Sequence, residues 1–156
     1  MKEEIIVKKL IENKETISSM ESCTAGYLAT TLTNVSGSSE VLLFSAITYS
    51  NEFKIKMGVS SDIIDKYTVY SIETSKEMAK KISEFTNSTY GVGITGQIGR
   101  IDPANKTGNI NEIFVTIYNS KNDNYHSFKI NCESNTRLEC KKYIVDKILD
   151  ELLNVL

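Results

Sequence analysis

Apolar residues recur along the chain with spacings typical of helices in some segments and of strands in others. Near the N-terminus, Ile5, Ile6 and Leu10 fall on one face of a helix, which predicts a helix over residues 3–13. Spacing and capping residues predict further helical segments at residues 25–32, after Ser50, and at 63–66, 72–86 and 136–153.

Short apolar runs between these helices predict strands at residues 16–20, 41–48, 90–94, 110–118 and 125–130. The polar segment between the last two predicts a hairpin, which would form an antiparallel edge. Strands and helices mixed in this order predict an α/β fold, a three-layer α/β/α sandwich with a mixed, mostly parallel sheet. No linker, repeat or low-complexity segment divides the sequence, so we expect residues 1–156 to form a single domain.

Composition and charge narrow the class of protein. The chain has 156 residues, of which 40% are hydrophobic and 24% charged, as in a folded domain with a sizeable core. A net charge of -2 gives no basis for nucleic-acid binding. No apolar run approaches the roughly 20 residues of a membrane span, and the charged start of the chain lacks a signal-peptide core. We therefore expect a cytoplasmic protein that binds neither nucleic acid nor membranes.

The three cysteines are Cys23, Cys132 and Cys140. An odd number without a secretion signal predicts reduced thiols. Their spacing is not typical of a zinc site, and no other cluster of metal ligands is visible, so we expect neither a metal nor a cofactor.

Polar turns follow three of the predicted strands, at residues 21–26, 49–54 and 95–99. Open α/β sheets bind ligands at the carboxyl ends of their strands, so these turns predict a site. Each turn also fits a plain strand-to-helix connection rich in capping residues. The sole histidine, His126, lies far downstream, so a lysine is the natural base for a serine nucleophile.

Lys54 is the candidate base. If Ser50 caps the next helix, Lys54 lies in its first turn, where the helix dipole and burial both lower the lysine pKa. Ser38 and Ser39 are equally plausible nucleophiles by chemistry alone, and Tyr49 ends the preceding strand, where it can hold or relay a proton. The alternatives are that Lys54 is an ordinary solvated lysine, that the serine is a plain turn hydroxyl, and that Tyr49 is a plain aromatic residue at the end of a strand.

Four motifs of the chain resemble those of the CinA C-terminal domain family, whose stand-alone members are nicotinamide mononucleotide deamidases. They are Glu-Ser-Cys-Thr-Ala-Gly from residue 21, Gly-Ser-Ser from 37, Thr-Tyr-Ser-Asn-Glu-Phe-Lys from 48 and Ile-Thr-Gly-Gln-Ile-Gly from 94. Their order and spacing match from residue 16 to residue 137. The resemblance implies an amidohydrolase that converts nicotinamide mononucleotide to nicotinate mononucleotide and ammonia, and it implies a homo-oligomer.

The resemblance also assigns expected roles. It favours Ser39 as the nucleophile and groups it with Tyr49 and Lys54 as catalytic residues. The small-molecule nucleotide substrate is then expected to contact Ser22, Thr24, Gly26, Thr95, Gly96, Arg100 and Arg137. Among these, Ser22 and Thr95 are expected to donate hydrogen bonds to the oxyanion or to substrate. The helix start at residues 24–26 and the chain's two arginines are expected to hold a phosphate, although each arginine fits plain surface charge equally well.

The chain departs from the family pattern at the rim of this predicted site. Ala25 replaces a glycine, Gln97 and Arg100 alter the motif at residues 95–100, and the glycine-rich stretch that follows is lost. Asn111 replaces the glycine before the next strand, and Glu133 stands where the family has an arginine. We expect these changes to affect which substrate binds more than which reaction takes place. The alternative is a non-catalytic relative that binds a nucleotide or a protein partner; an enzyme built on Cys23 ranks low because no histidine is near it.

Overall fold

The computed structural model describes residues 1–133 and 136–156. The helices are α1 (Lys2–Asn13), α2 (Tyr27–Thr33), α3 (Asn51–Lys56), α4 (Ser61–Tyr67), α5 (Ile72–Thr86) and α6 (Arg137–Val155). The strands are β1 (Ile17–Glu21), β2 (Ser45–Ile47), β3 (Tyr90–Gly96), β4 (Glu112–Asn119) and β5 (Asn124–Asn131).

The five strands form one mixed sheet in the order β2-β1-β3-β4-β5. β1 pairs in parallel with both β2 and β3, and β4 pairs antiparallel with both β3 and β5. Helices α1, α2 and α6 pack together on one face of the sheet, while α5 covers the other. The predicted three-layer α/β/α fold and its closing hairpin are therefore confirmed.

Each face of the sheet buries its own apolar cluster. The larger cluster joins α1 and α6 to the sheet through residues such as Leu10, Val92 and Ile148. The smaller one lies under α5 and includes Met20 and Met78. Each such side chain contributes about 2 kcal/mol when it is fully buried, so these two clusters fix the sheet that carries the site.

Helix α5 approaches β3 so closely that the strand needs glycine. A Cβ atom at Gly93 would lie 2.6 Å from the amide nitrogen of Ala79, inside van der Waals contact. The helix begins where predicted, because Ser71 Oγ accepts a hydrogen bond from the Thr74 amide at 3.1 Å. β3 pairs in parallel with β1, with Ile94 opposite Glu21, so the carboxyl ends of the two strands lie side by side.

The predicted strand over residues 41–48 is shorter than expected. Only Ser45–Ile47 pairs with β1, because Val41 instead ends a 3-10 turn over Ser38–Glu40 and packs in the larger apolar cluster. The Val41 carbonyl accepts a hydrogen bond from the Ile17 amide at 2.8 Å, which places this turn beside the start of β1.

Two of the three cysteines are not the reduced thiols that the sequence predicted. Cys132 and Cys140 form a disulfide with a Cα–Cα distance of 5.7 Å, while Cys23 is a buried free thiol. Cys132 directly follows β5, and Cys140, eight positions later, lies in the first turn of α6; the spacing alone does not show that the two thiols approach each other. Within the described residues, no helix has the length and apolar character needed to cross a membrane.

Candidate active site

A cavity of about 240 Å³ opens at the carboxyl ends of β1 and β3. Two of the three predicted polar turns meet there directly, after β1 and after β3, and the turn after β2 contributes Tyr49. Its lining includes Ser22, Cys23, Tyr49, Tyr70, Gly96, Gln97, Ile98, Arg100, Asp102, Pro103 and Arg137. The cavity therefore lies where a ligand site is expected in an open α/β sheet.

Lys54 is buried beside Ser22 at this edge of the sheet. Its side chain is only 2% exposed, and its Nζ donates to Ser22 Oγ at 3.2 Å and to the Thr48 carbonyl at 2.7 Å. Burial lowers the pKa of Lys54 to about 8. Ser50 does cap α3, since its hydroxyl accepts from the Phe53 amide at 3.3 Å. A lysine with this pKa is neutral in a usable fraction of molecules near neutral pH and can then accept the Ser22 proton.

Glu21 fixes the turn that carries Ser22. Its fully buried carboxylate accepts hydrogen bonds from the amides of Leu28 and Ala29, both at 3.0 Å, at the start of α2. The hydroxyls of Thr24 and Ser19 donate to the same carboxylate at 2.7 and 3.0 Å. The helix start is thus already filled by an anion of the chain itself.

The helix start at residues 24–26, where a phosphate was expected, is thus occupied by the Glu21 carboxylate. The first-turn amides of α2 are bonded to Glu21, and the Thr24 hydroxyl is bonded to the same carboxylate. Gly26 is the N-cap residue of α2, with φ 88°, and it lies outside the described lining of the cavity. The Thr24 side chain and Gly26 therefore build the turn beneath the site.

The structure places Ser39, the expected nucleophile, away from Lys54. Ser39 is exposed in the 3-10 turn beside the start of β1, whereas Ser22 and Lys54 lie past its end. At about 3.3 Å per residue, β1 separates the two places by ~15 Å. The chain order requires this, because a crossover between parallel strands returns to the starting edge of the sheet before the next strand begins. Ser38, the alternative nucleophile, lies in the same turn and therefore at the same edge of the sheet as Ser39.

Thr95 and Gly96 end β3 but differ in their surroundings. The buried Thr95 hydroxyl, which was expected to donate to the oxyanion or to substrate, donates to the Val69 carbonyl at 3.0 Å in this structure. Gly96 does line the cavity. A Cβ there would lie 2.8 Å from the Glu112 carbonyl oxygen, so glycine is needed for the pairing of β3 with β4.

Tyr49 and Arg137 meet at the mouth of the cavity. Arg137 Nη2 donates to the Tyr49 hydroxyl at 2.9 Å, and Nη1 donates to the Ile98 carbonyl. Tyr49 is 59% exposed, so it borders the site from the solvent side. Arg100 also lines the cavity and is exposed. The two arginines of the chain thus share one pocket with Ser22.

Sequence reasoning missed Tyr70 and Asp102, which form a further part of the cavity wall. The Tyr70 hydroxyl donates to Asp102 Oδ2 at 2.8 Å. The loop that carries Asp102 is held by two amide side chains. Gln97 Nε2 donates to the Thr107 carbonyl at 2.7 Å, and Oδ1 of Asn111, which stands at a family glycine, accepts from the Gly99 amide at 2.8 Å. A carboxylate within a loop that follows the third polar turn was the available signal.

Cys23 lies in the cavity lining beside Ser22 but is not suited to attack substrate. Burial, followed by the charge of Glu21, raises the pKa of its thiol to about 12. A thiol with that pKa stays protonated near neutral pH. Within residues 1–133 and 136–156, no three His, Cys, Asp or Glu side chains are grouped so as to hold a metal ion.

Comparison with known proteins matches the whole chain, residues 1–156, to the CinA C-terminal domain. A CinA-like protein of Endomicrobium trichonymphae is 37% identical over 144 residues, which are 92% of this chain and 33% of the relative. A competence-damage inducible protein of Alkaliphilus metalliredigens is 48% identical over 98 residues, which are 62% of this chain and 24% of the relative. The chain thus spans about a quarter to a third of these relatives.

Solved structures share the fold at low sequence identity. A competence or damage-inducible protein from Enterobacter asburiae superposes with a TM-score of 0.90 at 20% identity, covering 99% of this chain and 95% of that one. A CinA superfamily protein from Escherichia coli gives a TM-score of 0.88 at 19% identity, covering 99% of this chain and 88% of that one. Together with the match over residues 1–156, these similarities identify the chain as a member of the CinA C-terminal domain family.

Proposed function

We propose that the protein hydrolyses the carboxamide of nicotinamide mononucleotide, with Ser22 as nucleophile and Lys54 as base. The observation that carries this proposal is the contact between the two side chains, 3.2 Å from Lys54 Nζ to Ser22 Oγ, in a lysine whose pKa is lowered by burial. The resemblance of the motifs to those of nicotinamide mononucleotide deamidases supports the substrate. We also propose that the protein acts in the cytoplasm and self-associates.

The reaction follows from these two groups. Neutral Lys54 takes the Ser22 proton as the serine oxygen attacks the carboxamide carbon, forming a tetrahedral oxyanion. Lys54 then returns the proton to the leaving nitrogen, the carbon–nitrogen bond breaks, and ammonia leaves an ester on Ser22. Water attacks the ester with Lys54 as base, and the carboxylate product leaves as the serine recovers its proton.

The turn after Ser22 is suited to stabilise the oxyanion. The amide groups of Cys23 and Thr24 make no hydrogen bond to any described residue, and they directly follow the nucleophile. Backbone amides in that position are a common source of an oxyanion hole. Glu21 holds the same turn through its bonds to α2, so these donors stay in place without movement during the reaction.

The phosphate of the substrate is assigned to the two arginines. Arg137 and Arg100 both line the cavity, and a guanidinium binds phosphate through paired N–H donors. Arg137 is the stronger candidate, since its contacts with Tyr49 and the Ile98 carbonyl fix its position at the mouth. Tyr49 then serves to place Arg137 and to border the substrate.

A non-catalytic protein that binds a nucleotide or a protein partner is the second candidate. The observation that favours it is the rebuilt rim loop, in which Gln97, Asn105 and Asn111 provide order in place of the family's glycines. Such a loop fits tight binding as well as turnover.

Ammonia release separates the two candidates. The purified protein is incubated with nicotinamide mononucleotide, with and without EDTA, and ammonia is measured by an enzyme-coupled assay. We expect release at an unchanged rate in EDTA. Acid-quenched samples analysed by peptide mass spectrometry should carry the nicotinate mononucleotide acyl group on the peptide that contains Ser22. Binding of the nucleotide without ammonia release would instead establish the non-catalytic candidate.

A further inference from the structure

The wall of the cavity formed by the loop after β3 carries a carboxylate held in place from several sides. Asp102 Oδ2 accepts from the Tyr70 hydroxyl at 2.8 Å and from Asn105 Nδ2 at 2.9 Å, while Oδ1 accepts from the Ala104 amide at 2.9 Å. The Asp102 amide donates to Gln97 Oε1 at 2.9 Å. Both the carboxylate and its backbone are therefore fixed before a ligand arrives.

The Asp102 carboxylate is charged at neutral pH. The hydrogen bond from Asn105 is the largest cause that holds the pKa of Asp102 below its usual range, with the Ala104 amide, Tyr70 and the charge of Lys54 acting in the same direction. Burial, and then the hydrogen bond to Asp102, raise the pKa of Tyr70, so the tyrosine stays protonated and remains a donor.

The hydrogen bonds already made by Asp102 limit what it can do for a ligand. An ionised carboxylate has about four acceptor positions, and three are filled by Tyr70, Asn105 and Ala104. To accept hydrogen bonds from two neighbouring sugar hydroxyls, the carboxylate would need two vacant acceptor positions. The charge, by contrast, acts through space and needs none. Asp102 is therefore suited to attract a positive charge more than to bind a diol.

Two aromatic rings border the same space. Tyr49 and Tyr70 both line the cavity with Asp102. The negative face of an aromatic ring attracts a cation, and a carboxylate flanked by tyrosines is a favourable surrounding for a flat, positively charged ring. Arg100 and Arg137 line the cavity too, so the same ligand would also carry an anionic group.

The carboxylate is also positioned relative to the reacting pair. Asn105 Oδ1 accepts from Asn51 Nδ2 at 2.8 Å, and Asn105 Nδ2 donates to Asn51 Oδ1 at 3.2 Å. Asn51 begins α3, the helix that carries Lys54. A cation held at Asp102 therefore lies at a fixed distance from Lys54, where like charge favours the neutral, basic form of the lysine.

We infer that Asp102 is a specificity-determining residue that selects substrates with a positively charged ring, that is, N-substituted pyridinium carboxamides over neutral aromatic carboxamides. This inference rests on the proposed function for the identity of the site, but it concerns charge recognition and not the chemical step. It predicts that the protein discriminates between two ligands of nearly the same size and shape, one with a positively charged ring and the other with a neutral ring.

Oxidised and reduced nicotinamide mononucleotide are that pair, since reduction makes the ring neutral and keeps the carboxamide, ribose and phosphate. Dissociation constants are measured by calorimetry in Ser22→Ala, which binds ligand without turnover. We expect the oxidised form to bind about fivefold more tightly, as for a partly solvated charge pair. Adding Asp102→Asn should bring the ratio close to one by weakening the oxidised form alone. Asp62→Asn, an exposed carboxylate on α4, is the control and should keep the ratio.

Two results would overturn the inference: equal affinities before Asp102 is changed, or an unchanged ratio in Asp102→Asn. A parallel loss of both affinities is a case of the second result and would show that the substitution has only loosened the loop. Failure to bind either nucleotide would overturn the inference and the proposed function together. Charge selection that depends on Asp102, in a wild-type protein that releases no ammonia, would support the inference and reject the proposed function.

Discussion

Lys54 Nζ lies 3.2 Å from the hydroxyl oxygen of Ser22, although 32 residues separate them in the chain. The contact joins the end of β1 to the helix that follows β2. Lys54 donates its other hydrogen bond to the Thr48 carbonyl at 2.7 Å, which leaves Ser22 as its side-chain partner in the described structure. This arrangement makes Lys54 the group that sets the dependence of activity on pH.

Activity should rise with pH until Lys54 is neutral. Burial lowers the pKa of Lys54 to about 8, so below that value the neutral fraction of the lysine falls about tenfold per pH unit. We expect kcat/KM for nicotinamide mononucleotide to fall about tenfold per unit below pH 8 and to level off above it. The measurement is initial-rate kinetics from pH 6 to 9.5 at constant ionic strength. A flat profile across this range would rule out Lys54 as the base.

The same burial should make Lys54 costly for folding. Between pH 8 and the ordinary lysine pKa of 10.5, the unfolded chain binds a proton that the folded chain does not, so stability rises with pH across this window. Below pH 8 the folded protein carries the full destabilisation caused by the buried lysine charge. We expect Lys54→Met to abolish activity yet raise the free energy of unfolding by about 2 kcal/mol at pH 7, with little gain near pH 10.5.

Urea denaturation at both pH values measures this effect. Lys56→Met is the matched control, since Lys56 lies on the same helix but is exposed, and it should change stability little at either pH. A loss of stability in Lys54→Met at pH 7 would show that the buried lysine stabilises the fold.

Glu21 should matter for both folding and activity. Its two carboxylate oxygens accept from Leu28, Ala29, Thr24 and Ser19, and the NH2 group of glutamine cannot replace one of these oxygens as acceptor. Glu21→Gln should lower the free energy of unfolding by about 2–4 kcal/mol and reduce kcat because the Ser22 turn loses its support. Urea denaturation and steady-state kinetics test this together. Glu40→Gln, at an exposed carboxylate, should behave like the wild type in both assays.

Arg137 should act on the phosphate of the substrate. Its guanidinium lines the cavity mouth beside Tyr49. Arg137→Ala should raise KM for nicotinamide mononucleotide about tenfold or more, and should change KM for the nucleoside much less, because the nucleoside lacks the phosphate. Steady-state kinetics with both substrates gives the comparison. Equal effects on the two would place Arg137 outside the phosphate site.

The fold was predictable because periodicity and caps agree with packing in this chain. The helix over residues 72–86 was placed correctly at both ends, since Ser71 caps it and its apolar face packs on the sheet. The strand at 41–48 was too long in the prediction, because an apolar residue such as Val41 looks the same in sequence whether it pairs in a sheet or packs beneath a turn. The disulfide was missed because it joins two elements whose approach depends on the tertiary fold.

The candidate site was predictable only in part. Lys54 follows from its motif and from the cap at Ser50, whereas the partner serine depends on which edge of the sheet each turn occupies. Ser39 lies between a helix and the following parallel strand, and such segments lie at the opposite edge from segments that follow a strand. Applying that rule to the sequence would have favoured Ser22. The sequence places Asp102 in the loop after the third polar turn, but it does not show the role of this carboxylate, because that role depends on contacts made by a long loop.

The most direct test of this account is ammonia release from nicotinamide mononucleotide by the wild type, Ser22→Ala and Ser39→Ala, compared in one assay after circular dichroism has shown that all three are folded. We predict that Ser22→Ala loses at least a thousandfold in kcat, as expected for removal of a nucleophile, while Ser39→Ala keeps activity within about twofold of the wild type. Near-normal turnover by Ser22→Ala, or loss of turnover in Ser39→Ala, would contradict the assignment of Ser22 and Lys54 as the reacting pair.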